Sequence, residues 1–130
     1  MKKLFLLWML QHAVMLCYSQ QSPVIRNVNV AEFKKTMDAL PNEVVVDLRT
    51  PEEIEKGKIP GAIAIDFYGD NFKSELQKLD RNKPYLLYCA GGGRSGQTVE
   101  VMEKMGFKNI YNLETGFKGW VKEKMPVEKR

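Results

Sequence analysis

The 130 residues, 44% hydrophobic and 28% charged, have the length of one domain and the balance of a soluble globular protein, with enough chain to bury a core without disulfides or a structural metal. The 20 basic and 16 acidic residues give a formal charge of +4, and residues 1–19 hold two of the lysines and no acid. The surplus left without them is too mild to mark nucleic acid or an anionic membrane as a partner.

The N-terminus differs from the rest. Lys2 and Lys3 precede an apolar run at 4–10, which resumes at 13–17 after Gln11 and His12 and gives way to Tyr18, Ser19 and further polar residues. A basic tip, a short apolar stretch and a polar exit describe a secretory signal peptide over 1–19, leaving a domain over 20–130. The run falls short of the roughly 20 apolar residues of a membrane span; an uncleaved N-terminal membrane anchor is the alternative. Export, to a periplasm for example, leaves Cys89 as the only cysteine in an oxidising compartment. It cannot form an internal disulfide there, so it is either inert and buried or a reactive thiol. His12 leaves with the signal, which removes a cysteine–histidine base pair and a histidine-ligated metal site from consideration.

Residues 24–27 form a short first strand. Val30, Phe33, Met37 and Leu40 are at helical spacing, and Pro41 stops that helix. The β-branched run at 44–46 predicts a buried strand. Thr50, followed by Pro51 and by Glu53 three residues on, has the pattern of a capping box opening a helix that ends at Gly57. A strand at 62–65, a helix over 70–79 with Phe72, Leu76 and Leu79 on one side, and a strand at 85–88 follow. The strand runs straight into Cys89. A helix over 95–105 ends at Gly106, a fifth strand covers 109–111, and a last helix over 116–125 stops at Pro126. Strands alternating with helices predict an α/β domain with a mainly parallel sheet, whose ligand site lies at the carboxyl ends of the strands, where Cys89 stands.

The stretch Cys89-Ala90-Gly91-Gly92-Gly93-Arg94-Ser95 carries the chemistry. Glycines permit tight turns in which successive N–H groups point inward as an anion nest. The next helix adds free N–H groups and its positive end, and Arg94 adds a permanent charge. All of these favour a thiolate at Cys89 and any anion bound above it. Ala90, Gly91, Gly92 and Gly93 are expected to line the nest; Ser95 is expected to cap the helix, with a hydroxyl contact to bound anion as a second role. Cys89 and Arg94 are the expected catalytic pair. Nucleophilic chemistry on an anion follows, on either sulfur or phosphorus. Four residues separate Cys89 from Arg94, one fewer than in cysteine phosphatases, and the smaller cradle suits a sulfane sulfur.

These residues resemble the active loop of the rhodanese family. Asp47-Leu48-Arg49-Thr50-Pro51-Glu52-Glu53 with Gly57-Lys58-Ile59-Pro60-Gly61-Ala62 resembles its N-terminal signature, and Leu113-Glu114-Thr115-Gly116 with Trp120 and Pro126 its C-terminal one. The likeness spans about residues 24–127 and is greatest to the small exported single-domain type of bacteria. It implies a rhodanese-like α/β fold, a five-stranded mainly parallel sheet flanked by helices. It also implies a thiosulfate-sulfurtransferase type of reaction: Cys89 takes a sulfane sulfur from a small anionic donor such as thiosulfate, or from another persulfide, and hands it to a thiol or cyanide acceptor, with no metal or organic cofactor. Asp47 and Arg49 are expected as an ion pair supporting the loop, and Trp120 as core. Two positions depart from the family pattern: Lys58 stands where a histidine is usual, and Thr115 replaces the first of two glycines. Altered packing is the expected consequence.

A sulfur carrier or redox relay with little thiosulfate turnover is the main alternative, and a cysteine phosphatase or arsenate reductase a weaker one. A lone low-pKa thiol in an oxidising compartment also points to a thioredoxin-like reductant as a partner.

Overall fold

The computed structural model describes residues 22–129. The expected signal peptide at 1–19 lies outside the described residues, within which no helix is long and apolar enough to cross a membrane. Strands and helices alternate as β1 (Val24–Val28), α1 (Val30–Ala39), β2 (Val44–Asp47), α2 (Pro51–Glu55), β3 (Ile63–Ala64), α3 (Phe72–Gln77), β4 (Tyr85–Tyr88), α4 (Gly93–Lys104), β5 (Asn109–Leu113) and α5 (Gly116–Lys122). The strands make one sheet in the order β1-β5-β4-β2-β3, and every strand pairing is parallel.

A parallel sheet is covered on both faces, and successive strand residues alternate between them. Val45, Leu86, Tyr88 and Leu113 face Phe33 of α1 and Trp120 of α5. Val46, Leu87 and Ile110 face Leu76 of α3 and Met102 of α4. All four residues of β4 are buried, as the sheet's middle strand requires. Trp120 lies in the core, its ring edge-to-face with Phe33 at 6.1 Å, and its indole N–H donates to the Pro126 carbonyl at 2.7 Å. Because Asp47 pairs with Tyr88 in register, the ends of β2 and β4 deliver Arg49 and Cys89 to the same edge of the sheet.

The capping box expected at Thr50 is present: Glu53 N–H donates to Thr50 Oγ1, and the Thr50 N–H to Glu53 Oε1. Several boundaries differ from expectation, three of them for a visible reason. Helix α3 covers only Phe72–Gln77, because the turn from Gly69 to Phe72 occupies the residues before it. Helix α5 stops at Lys122: Lys124 turns left-handed (φ 57°), and Met125 N–H bonds back to the Trp120 carbonyl at 3.2 Å, closing the helix before Pro126 acts. Strand β5 runs to Leu113, since β1 supplies a partner up to Val28.

Candidate active site

Cys89 leaves the end of β4 and is 1% exposed. The chain then turns at Gly92, whose φ of 100° is left-handed, and enters α4. The Gly92 N–H lies 3.1 Å from Cys89 Sγ, the Ser95 N–H 3.4 Å, and the Ser95 hydroxyl 3.4 Å. Helix α4 begins at Gly93, two residues before its expected start, so Ser95 is not the cap. The capping residue is Gly92, which has no side chain to accept from the third helical amide, and the sulfur of Cys89 fills that place. Ser95 sits in the first turn, its hydroxyl between the sulfur and the Gly92 carbonyl at 3.2 Å. It can donate to the carbonyl when Cys89 is a thiol and to the sulfur when Cys89 is a thiolate.

Burial pushes the Cys89 thiol up, but hydrogen bonds from the Ser95 hydroxyl and amide and from the Gly92 and Gly91 amides outweigh it and hold the group below its ordinary value. The folded protein therefore holds thiolate at a lower pH than a free cysteine does. Ser95→Ala removes one donor, so the pH profile of Cys89 alkylation by iodoacetamide is expected to move to higher pH. An unmoved profile contradicts this role.

The loop is fastened from behind by α5. Phe117 N–H donates to the Cys89 carbonyl at 2.8 Å and Lys118 N–H to the Ala90 carbonyl at 3.1 Å. Ala90 thus meets α5 through its carbonyl, and Gly93 opens α4; no contact of either with the sulfur is seen. The approach is close enough that a Cβ on Gly116 would lie 2.5 Å from the Ala90 oxygen, and one on Gly92 2.2 Å from the Glu114 oxygen. A Cβ on Gly91 or Gly93 meets nothing within 4 Å. Thr115 is accommodated one helical turn on by Gly119, where a Cβ would fall 2.0 Å from Thr115 Oγ1. Lys58 donates to the Ala62 carbonyl at 2.9 Å, and its backbone bridges to Glu128. Both departures are met by local packing.

Asp47 and Arg49 form a buried pair, at 0% and 3% exposure. Arg49 Nε donates to Asp47 Oδ1 at 3.0 Å, and Nη2 donates to Asp47 Oδ2 at 2.7 Å and to the Gly57 carbonyl at 2.8 Å. The Tyr88 hydroxyl donates to Asp47 and accepts from the Ile59 N–H at 3.1 Å. Burial, with the Asp47 charge, holds the Tyr88 phenol far above its ordinary value, so it remains a donor. The Arg49 guanidinium lies 4.0 Å over the Phe117 ring. The network therefore ties β2, the turn at 57–59, α5 and the residue preceding Cys89 into one unit.

Arg94 is placed otherwise than a free anion clamp. Its Nη1 donates to Glu53 Oε1 at 2.7 Å and its Nη2 to Glu53 Oε2 at 2.9 Å. The hydrogen bond from Arg94 is the main cause that holds the Glu53 carboxyl down at about 2, against the opposing effect of burial, so the pair is ionised throughout the neutral range. The Tyr68 ring lies 5.5 Å from the guanidinium and is itself 69% exposed. Glu53 had no assigned part at the site in the sequence, because the capping box accounted for it fully. A carboxylate at the third helical position can serve the cap with one oxygen and still form a fork with an arginine, and nothing in sequence spacing reveals the second partner.

Among the described residues no cluster of three or more histidine, cysteine, aspartate or glutamate side chains is placed to hold a metal. A cleft of about 320 Å3 between α2, β3 and α3 is lined by Pro51, Ile54, Asp66, Phe72 and Glu75, among others, and by none of residues 89–95. The Cys89 thiol and the groups that hydrogen-bond to it lie on the loop, which makes the loop the candidate site.

The family pattern described as Rhodanese-like domain matches residues 29–123. A sulfurtransferase of Allochromatium vinosum is 27% identical over 84 residues, 65% of this chain and 77% of that one. A rhodanese-like domain protein from Staphylococcus aureus is 31% identical, covering 82% of this chain and 99% of its own, with a TM-score of 0.70. A rhodanese-related protein from Thermoplasma volcanium is 30% identical, covering 81% and 99%, with a TM-score of 0.71. With that pattern spanning most of the chain and solved rhodanese-like structures sharing its fold, the chain belongs to the rhodanese-like family.

Proposed function

We propose that the chain is a sulfurtransferase that carries a sulfane sulfur as a persulfide on Cys89. The convergence of the Gly92 and Ser95 amides and the Ser95 hydroxyl on Sγ is the observation that carries this reading. The thiolate attacks the outer sulfur of a donor. The donor's S–S bond breaks, its electron pair leaves with sulfite from thiosulfate or with a thiolate from a persulfide, and Cys89 keeps the sulfur. A thiol or cyanide then attacks that outer sulfur and releases the Cys89 thiolate. The covalent intermediate divides the transfer into two easier displacements, and the loop amides stabilise negative charge in both. Neither displacement needs a general base, in keeping with the absence of histidine after residue 12. The reading includes export, on the basic, apolar and polar order of the first 22 residues, and a thioredoxin-like reductant that keeps Cys89 reduced.

The test is thiocyanate formation from cyanide, with thiosulfate and with glutathione persulfide as donors, by the protein and by Cys89→Ala. Transfer with at least one donor that disappears in Cys89→Ala is expected. Transfer that survives the substitution overturns the role of Cys89. Hydrolysis of an aryl phosphate, with no sulfur transfer from either donor, would favour a phosphatase.

A further inference from the structure

Residues 89–95 contain one charged side chain, Arg94, and both of its terminal nitrogens are engaged by the Glu53 carboxylate at 2.7 and 2.9 Å. The pair is partly enclosed, with side-chain exposures of 16% for Arg94 and 34% for Glu53, and the Tyr68 ring lies beside the guanidinium. A bidentate carboxylate opposes the arginine's charge with one of equal size and occupies the fork that would otherwise grip an anion. What remains at the sulfur is a set of neutral amide and hydroxyl donors.

Donors differ in the charge they bring to such a site. Thiosulfate is a dianion and must meet a thiolate; the sulfite it releases is again doubly charged. A persulfide of a small thiol meets the same thiolate with at most one charge on its reacting sulfurs. When Cys89 attacks its terminal sulfur, the S–S bond breaks and a single thiolate departs, taking the proton that the terminal sulfur carried or one from water. The repulsion to be overcome is smaller, and it falls to a loop with no free cation.

We propose that Glu53 is a specificity-determining residue that, by pairing with Arg94, directs the Cys89 loop away from thiosulfate and toward persulfides of small thiols as sulfur donors. This rests on the sulfurtransferase reading and names its substrate class. Glu53 acts through Arg94, so it is a positioning residue. Its other task, the capping box with Thr50, can be separated from this one, since glutamine serves a capping box as glutamate does.

The experiment compares kcat/KM for thiosulfate and for glutathione persulfide, with cyanide as acceptor, in the wild type, Glu53→Gln and Glu53→Asp. Glu53→Gln keeps the cap and frees the arginine's charge. The thiosulfate-to-persulfide ratio should rise at least roughly tenfold, mainly through a lower KM for thiosulfate, and the gain should shrink as ionic strength rises. Glu53→Asp keeps the charge and should leave the ratio within about threefold of wild type. Glu53→Ala shares the prediction for glutamine and serves if that variant fails to fold. A ratio that stays constant or falls in both uncharged variants, while transfer persists, overturns the role of Glu53 and leaves the sulfurtransferase reading standing. No transfer from either donor in the wild type overturns both.

Discussion

Gly92→Ala is expected to lower sulfur transfer at least a hundredfold and to destabilise the fold by about 2–3 kcal/mol. Gly92 has a φ of 100°, and a Cβ there would stand 2.2 Å from the backbone oxygen of Glu114. That oxygen lies on the backbone of the residue that follows β5 and cannot rotate aside as a side chain would. The loop must move, and it carries the Gly92 and Ser95 amides away from Cys89 Sγ. Gly91→Ala and Gly93→Ala provide the contrast. Neither residue is left-handed and neither Cβ would meet a neighbour within 4 Å, so each should keep transfer within about fivefold and stability within about 1 kcal/mol. Urea unfolding and steady-state kinetics on the three variants check the prediction. Three equal effects would contradict the assignment of the close approach to Gly92 alone.

Asp47→Ala is expected to destabilise the protein by about 3–5 kcal/mol. The substitution leaves the Arg49 guanidinium, 3% exposed, with the Gly57 carbonyl and two aromatic rings but no counter-charge. It also removes the acceptor of the Tyr88 hydroxyl, in the residue directly before Cys89. A fall in the urea midpoint at unchanged slope is the expected observation. A loss below about 1 kcal/mol would mean that the network contributes little and that the loop is held by α5 instead.

The fold was legible because its signals are local. The β-branched run Val44–Val46, the four apolar residues of β4 and the capping box at Thr50 each specify one element, and their alternation specifies a parallel sheet. Ends were less legible where a distant partner decides them. Strand β5 extends to Leu113 because β1 lies beside it, and α5 stops early because Lys124 turns left-handed despite its Cβ. At the site, Cys89 and its glycine loop stand out in sequence, yet three successive glycines look alike there. Only the return of the chain at Glu114 makes Gly92 the one without room for a side chain. Ser95 resembles a cap by composition; the sulfur of Cys89 takes the capping position because Gly92 offers no side chain. Arg94 resembles an anion clamp, and its engagement by Glu53 arises from a contact across 41 residues that no periodicity encodes.

The most direct test of the central claim is the intact mass of the protein after brief exposure to glutathione persulfide or thiosulfate, followed by peptide mapping and a second measurement after cyanide is added. The account predicts a gain of one sulfur atom, located on the peptide that contains Cys89, lost on addition of cyanide and absent in Cys89→Ala. A protein that gains no sulfur from either donor, or gains it elsewhere than on Cys89, would contradict it.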